Sequence, residues 1–479
     1  SDLAISKDGK TFYYVTNRNS RYTYKADQDL YSVKWDGKDI KQLTSNNARP
    51  SGVSLDPTGK YLFMIKQRGS LSKLDLSSSK EEALPFSAEM KIDVVAEKKQ
   101  MFDEAWRVIN QTFYDPKFHG NNWKELREKY EPIALIASTD EDFRDVINMM
   151  MGELNASHMG IYGPNNIDLQ RENTGLLGVE ITPLKNGVKV EYVIPQSPAD
   201  KTESKLQKGD IITSVNGVEI DENANFYSLF TNTADKQVYL NVKNEKGENR
   251  EVVIRPTNSL RDLLYKDWVT SRQKLVEKYS NGKLGYIHIQ GMDWQSFERF
   301  ESELSEQGEG KDGLIIDVRY NGGGWTTDFL LNILTVKQHA YTIPRGATDD
   351  LKNKDDFKDV YAYSERLPFP AWTKPTITMC NSCSYSNAEI FSHAYKTLNL
   401  GKLVGTPTFG AVISTGAYTL IDGSLIRTPG RAWFSKSTDK NMENNAAIPD
   451  FIVDNPQDYR VKEDLQLKKA VEELLKEAK

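Results

Sequence analysis

Hydrophobic and polar positions change period several times along this chain, and each change predicts a different kind of element. In the first part, short apolar runs alternate with turn residues: Phe12-Tyr13-Tyr14-Val15, Leu30-Tyr31-Ser32-Val33, Gln42-Leu43-Thr44 and Tyr61-Leu62-Phe63-Met64, with Asp36-Gly37-Lys38 between two of them. The phrase from Leu3 to Lys10 recurs from Gly52 to Lys60, with the glycines Gly9 and Gly59 50 residues apart. Strand, turn and strand at that spacing predict partial β-propeller blades over residues 1–85. Blades bury their faces only against neighbours in a ring, so two of them imply a chain that begins inside a longer protein.

From about residue 96 the period becomes helical. Met101, Ala105, Ile109 and Phe113 fall four apart with Trp106 beside them, Phe113-Tyr114-Asp115-Pro116 breaks the helix, and His119-Gly120 and Trp123 lead into the next. A further helix is expected to end near Ser157-His158, giving a helical subdomain over 86–167. Residues 168–257 read as short strands: Leu177 to Ile181, Val188-Lys189-Val190, Gly209 to Ile212, Val215 to Val218 and Val238 to Val242. Ser197-Pro198-Ala199, Gly209-Asp210-Ile211-Ile212 and Val215-Asn216-Gly217 together resemble a PDZ domain of the bacterial protease type, which implies either a peptide groove filled by β-augmentation or a module shaping access to a neighbouring site. From 258 to 479 strands and helices alternate. Gly313 to Val318 reads as a buried strand and Phe329, Leu330 and Ile333 as a helix. Thr376 to Met379 is a second strand, and Leu467, Val471 and Leu474 mark a terminal amphipathic helix. That alternation predicts a βαβ-containing layer with functional loops at strand C-termini.

Composition narrows the partners. The chain has 479 residues, 27% of them charged, and a net charge of −6, so no nucleic-acid or membrane-surface footprint is expected. No run of about 18 apolar residues encodes a membrane span. The two cysteines, Cys380 and Cys383, have no second pair to complete a structural zinc site. They read chiefly as two buried thiols, with a local disulfide as the alternative. No metal and no cofactor is expected.

The candidate chemistry centres on Ser386, in Ser384-Tyr385-Ser386-Asn387-Ala388-Glu389, where a strand-to-helix turn would expose a nucleophilic hydroxyl. Ser386-x-x-Glu389 is also a capping box, and the motif alone favours the cap; only its company in the rest of the chain points to the nucleophile. A serine needs a base, and His158, one of five histidines, sits after Ser157 at the end of a predicted helix. Glu443 lies in a loop before Ile448-Pro449-Asp450. The loop Asn321-Gly322-Gly323-Gly324 lacks the Gly-Lys-Ser/Thr ending of a P-loop. Its glycines suit backbone N–H groups aimed at a substrate oxyanion better than a phosphate cradle.

Taken together, these phrases resemble one family. Phe113 to Pro116 with His119-Gly120 and Trp123, Ser157-His158, the PDZ-like module, Asp317 to Gly324, Ser386 to Ser392, Gly405-Thr406 with Phe409-Gly410, and Glu443-Asn444 before Pro449-Asp450 run in the order of the tricorn branch of the tail-specific (C-terminal processing) serine peptidases. The resemblance implies a multidomain α+β chain: propeller fragment, helical subdomain carrying the catalytic histidine, PDZ-like β domain, and an α/β ββα-layered peptidase core. It implies a Ser-His-Ser-Glu tetrad of Ser386, His158, Ser157 and Glu443, with Gly324 and Asn387 as oxyanion donors. Where the sister branch has a catalytic lysine this chain has Ala411, which favours the histidine mechanism. Thr342 stands where the family carries an aspartate that selects basic P1 side chains, so that preference is not implied here. The resemblance further implies peptide or unfolded-protein substrates, a homo-oligomer, and a cytoplasmic location unless a signal peptide precedes this sequence. The competing reading is a catalytically inactive peptide-binding scaffold.

Overall fold

The computed structural model describes residues 3–19, 26–66, 69–164, 170–338, 343, 345, 371–456 and 463–478. It divides into two compact units, Ser1–Val94 and Val95–Lys479.

The first unit holds two four-stranded antiparallel sheets. One runs in the order Leu3–Ile5, Thr11–Asn19, Ala26–Lys34, Lys41–Gln42, and the other Ser51–Leu55, Tyr61–Ile65, Leu71–Asp75, Glu81–Ala83. Tyr13, Leu30, Val53, Leu62, Met64 and Leu74 form its core. The repeated phrase is a hairpin device. The Asp56 carboxylate accepts the N–H groups of Thr58, Lys60 and Tyr61, and Gly59 at φ +78° turns the chain between them. In the first copy Asp8 accepts the Ser6 hydroxyl and the Lys10 N–H.

In the second unit the helices Val94–Thr112, Trp123–Leu135 and Asp140–Gly152 pack through Phe102, Ala105, Ile109, Phe143, Ile147 and Met150. The first helix stops before Phe113-Tyr114-Asp115-Pro116 as predicted. The second starts where the Asn122 side chain accepts the Lys124 and Glu125 N–H groups. An antiparallel sheet follows, in the order Val179–Leu184, Gly187–Val193, Ile211–Val215, Val238–Lys243, Asn249–Ile254, with Val218–Glu219 hairpinned onto Ile211–Val215.

A parallel sheet is the frame of the remainder, in the order Leu284–His288, Gly313–Asp317, Thr376–Cys380, Gly401–Gly405, Phe451–Ile452. Its first three strands are buried at every position, so apolar residues occupy both faces, with His288, Asp317, Thr376 and Thr378 as buried polar exceptions. Helices Trp294–Gly308, Thr327–Leu334 and Asn387–Thr397 cover one face. Arg261–Ser280 and Leu465–Glu477 cover the other, the latter through the predicted Leu467, Val471 and Leu474.

A three-stranded antiparallel sheet was not foreseen. Its order is Ile413–Thr419, Leu425–Ala432, Gly160–Tyr162, so the stretch just after His158 is stitched to a strand more than two hundred and fifty residues later. The cysteine reading needs correction as well. Both thiols are free, but only Cys380, the last residue of a central strand, is buried; Cys383 is exposed in the turn that follows. Among the described residues no helix is long and apolar enough to cross a membrane.

Candidate active site

Strand Thr376–Cys380 leads through a tight turn into helix Asn387–Thr397, and Ser386 sits at the corner with φ 56° and ψ −117°. A non-glycine residue there carries strain of about 1–3 kcal/mol and persists only where its surroundings impose it. They do so here. The Ser384 hydroxyl donates to the Val318 carbonyl at 2.8 Å, the Tyr385 N–H donates to the Asn321 carbonyl at 2.9 Å, and the Ser386 N–H donates to Glu389 at 3.1 Å. Glu389 is fully buried and also accepts the Thr408 hydroxyl and the N–H groups of Gly410 and Ala411. Burial raises its pKa in spite of those bonds. The capping box is therefore present, and the serine oxygen at the same time lies 2.9 Å from His158 Nε2.

His158 arrives from the end of the helical segment. Its backbone is left-handed, at φ 58°, and the next residues are held in register by Gly160 opposite Arg427 and Ile161 opposite Ile426. The imidazole stacks on Tyr385 with centroids 4.8 Å apart. Its Nδ1 lies 2.7 Å from Ser157 Oγ and 3.3 Å from the Tyr385 hydroxyl. Ser157 Oγ donates to Glu443 at 2.9 Å, and Glu443 also accepts the Ser157 N–H at 2.6 Å and the Val412 N–H at 2.7 Å. This bonding assigns the imidazole tautomer: Nδ1–H donates to Ser157, leaving Nε2 to accept from Ser386. Burial first, and the charge of Arg427 second, hold the imidazole down to about 4.

The triple-glycine loop closes the opposite side. Asn321 is wholly buried; its Nδ2 donates to the Ile289 carbonyl at 2.8 Å and its Oδ1 accepts the Gly323 N–H at 2.9 Å, which locks the loop against the turn that carries Ser386. Gly323, at φ +89°, has no room for a side chain: a Cβ would stand 2.7 Å from both Ser386 Cβ and the Tyr385 carbonyl oxygen. At Gly324, with φ +145°, a Cβ would stand 2.0 Å from the Met292 carbonyl oxygen. Among the described residues no acceptor takes the N–H of Gly324 or of Asn387. Asn387 is fixed by its side-chain oxygen, which accepts the Thr327 N–H at 3.0 Å.

Thus Ser386, His158, Ser157 and Glu443 meet in one hydrogen-bonded row, with Gly324 and Asn387 lining the same cavity as Ser386 and His158. Thr342 lies outside the described residues. The cavity measures about 480 Å³ and adds Trp325, Asp328, Ile390, Ser414, Thr415, Arg427 and Trp433 to its walls. No group of three His, Cys, Asp or Glu side chains able to hold a metal ion occurs among the described residues.

Sequence reading missed the supports beneath this row. The Tyr114 hydroxyl accepts from Asn441 Nδ2 at 3.2 Å, and Asn441 Oδ1 accepts the Glu443 N–H at 3.1 Å. His119, in the same phrase as Tyr114, bonds both that hydroxyl and the Leu154 carbonyl. Behind the glycine loop, Arg319 is fully buried between Asp317, at 2.7 Å, and Asp464, at 3.1 Å, and also donates to Gln466 at 2.9 Å. The Arg319 carbonyl lies 2.8 Å from His288 Nε2. Only Arg319's position within the glycine-loop phrase hinted at such a role.

With this geometry in view, comparison with known proteins identifies the class. Residues 283–453 match Peptidase family S41, residues 94–152 the Tricorn protease C1 domain, and residues 175–259 the Tricorn protease PDZ domain. The fold is that of a tricorn-like chain of mixed α and β structure, with a PDZ domain and an S41 peptidase core. It follows the crystal structure of the tricorn protease with a TM-score of 0.78 at 23% identity, over 98% of this chain and 46% of that one. Among sequences, the chain is 26% identical to the tricorn protease of Thermoplasma volcanium over 98% of its own length and 45% of the relative's. It is 28% identical to a putative tricorn-like protease C-terminal subunit of Sulfurisphaera tokodaii, over 98% of its own length and 55% of the relative's. The chain thus spans about half the length of the relatives it matches. Residues 283–453 thus match the S41 class of serine peptidases. The chain as a whole is similar to the tricorn proteases, whose C1 and PDZ domain models match its preceding segments.

Proposed function

We propose that this chain hydrolyses peptide bonds in oligopeptides or unfolded polypeptides through an acyl-enzyme formed on Ser386. The observation that carries this reading is the unbroken path Glu443–Ser157–His158–Ser386, each link between 2.7 and 2.9 Å. In the first step Ser386 Oγ attacks the scissile carbonyl while its proton passes to His158 Nε2. The imidazolium that forms shares its Nδ1 proton with Ser157, whose own hydroxyl is held by Glu443. The oxyanion meets the N–H groups of Gly324 and Asn387. His158 then protonates the leaving amine, and water attacks the acyl group by the reverse route. In the same reading residues 1–85 are propeller blades, 86–167 the helical subdomain, 168–257 the PDZ-like module and 258–479 the peptidase core, assembled as a homo-oligomer.

Two results test the chemistry. His158 serves as base only when neutral, and its pKa is depressed from 6.5 to about 4. A plot of kcat/KM against pH is therefore expected to stay level below 6.5 and to fall as pH drops through about 4. An acid limb near 6.5 would contradict this. The sign for stability is the same: the unfolded chain takes up the proton first, so the contribution is complete above 6.5 and is lost as pH falls through the folded value. Gly324→Ala should cost about a hundredfold to a thousandfold in kcat, since the added Cβ drives the loop from Met292 and misaims a donor. Steady-state kinetics on an unstructured peptide measures it. Failure of an organophosphonate to label Ser386 stoichiometrically would favour the inactive scaffold instead.

A further inference from the structure

We infer that Arg427 is a substrate-recognition residue, its guanidinium receiving a carboxylate of the bound peptide, so that preferred substrates carry an acidic group close to the scissile bond. This rests on the peptidase reading and names the substrate class. Arg427 lies in strand Leu425–Ala432 opposite Gly160, two residues from the base, and lines the cavity that holds Ser386 and His158. It is half-buried, and its guanidinium makes a single hydrogen bond to a described residue, from one terminal nitrogen to Thr415 Oγ1 at 2.9 Å. A guanidinium has five N–H donors in a fork that fits a carboxylate. The arginines at 127, 250, 272 and 319 each hold an aspartate; Arg427 holds no carboxylate among the described residues.

The wall around it is preset. Trp433 Nε1 donates to Ser414 Oγ at 2.8 Å, and Thr415 is taken by Arg427 itself, so the remaining guanidinium donors are the uncommitted ones on that side. A bare cation beside the base also opposes the imidazolium that catalysis must form. That cost disappears if the substrate brings the counter-charge. Asp328 also lines the cavity, and among the described residues it forms no ion pair with Arg427.

The test uses matched peptides with Glu or Gln at each position flanking the cut, each with a free or an amidated C-terminus. The wild-type chain should favour the acidic member of one pair by about 10- to 100-fold in kcat/KM, the range of a charge-assisted hydrogen bond. Arg427→Gln should shrink that ratio below about threefold, and Arg427→Lys should retain part of it. A response to the Glu/Gln pairs identifies a side-chain carboxylate; a response to amidation identifies the C-terminus. Equal rates within every pair, a ratio unchanged in Arg427→Gln, or a preference for lysine would overturn the inference. Fluorescence anisotropy with Ser386→Ala separates it from the peptidase reading. If nothing is cut yet acidic members still bind more tightly, and lose that advantage in Ser386→Ala/Arg427→Gln, the recognition stands alone. Equal Kd values sink it.

Discussion

Ser386→Ala is expected to lower peptide hydrolysis by about 10⁵- to 10⁶-fold while leaving the chain folded. Both halves matter, because Ser386 has two roles in the geometry: its oxygen faces His158 at 2.9 Å, and it belongs to the capping box at the start of Asn387–Thr397. Loss of a cap costs about 0.5–2 kcal/mol and no turnover in itself. Loss of a nucleophile removes turnover whatever the stability. Initial rates on a peptide pool, read beside a denaturation midpoint for the same preparation, therefore tell the roles apart. Unchanged hydrolysis with a slightly lowered midpoint would leave only the cap.

The largest stability effect should come from Arg319→Met. Arg319 is completely buried and neutralises Asp317 and Asp464, both also completely buried. Removing the cation leaves Asp317 without a cationic partner among the described residues and Asp464 with Arg272 alone, and breaking such a buried pair costs about 3–5 kcal/mol. Urea unfolding should show it as a lowered midpoint for the unit Val95–Lys479, and activity should fall with it, because the residues after Arg319 carry the glycine loop. Replacing Arg319, Asp317, Asp464 and Arg272 together by apolar residues of matching volume should recover much of the loss, since no buried charge is then left without a partner. The network also sets an acid limit. Burial pushes the Asp464 carboxyl up, but Arg319 and its other hydrogen bonds outweigh that and leave it below 3.8. Its contribution to stability is therefore present above that value and is lost as pH falls through the folded pKa.

What could be read from the sequence was what the chain encodes locally. Strand, turn and helix around Ser386 follow from an apolar run, a cluster of small polar residues and a helical period, and the glycine loop announces itself by a composition that few other backbones need. Ser157 and His158 are adjacent, so one motif delivered both. Glu443 was within reach only through resemblance, since a loop carboxylate has no periodicity. Beyond that the limit was distance along the chain. Arg319 and Asp464 are 145 residues apart, and nothing near either predicts the other. The pairing of Gly160–Tyr162 with Leu425–Ala432 is a matter of tertiary register, so Arg427 could not be placed beside the base. For Cys383 residue type outweighed local context: a free cysteine is commonly buried, but Asn381, Ser382 and Ser384 around it are polar and form the turn, while Cys380 ends the buried strand.

The span between Ser157 and Glu443 is 286 residues. At a translation rate of about 5–20 residues per second, the ribosome makes the carboxylate at least about 14 s after the serine and imidazole it must anchor. During that interval the emerging polypeptide has no assembled charge path and cannot digest itself or its neighbours. In the proposed reading, proteolytic competence thus arrives only once the segment that carries Glu443 has been made, a delay set by the order of these residues along the chain.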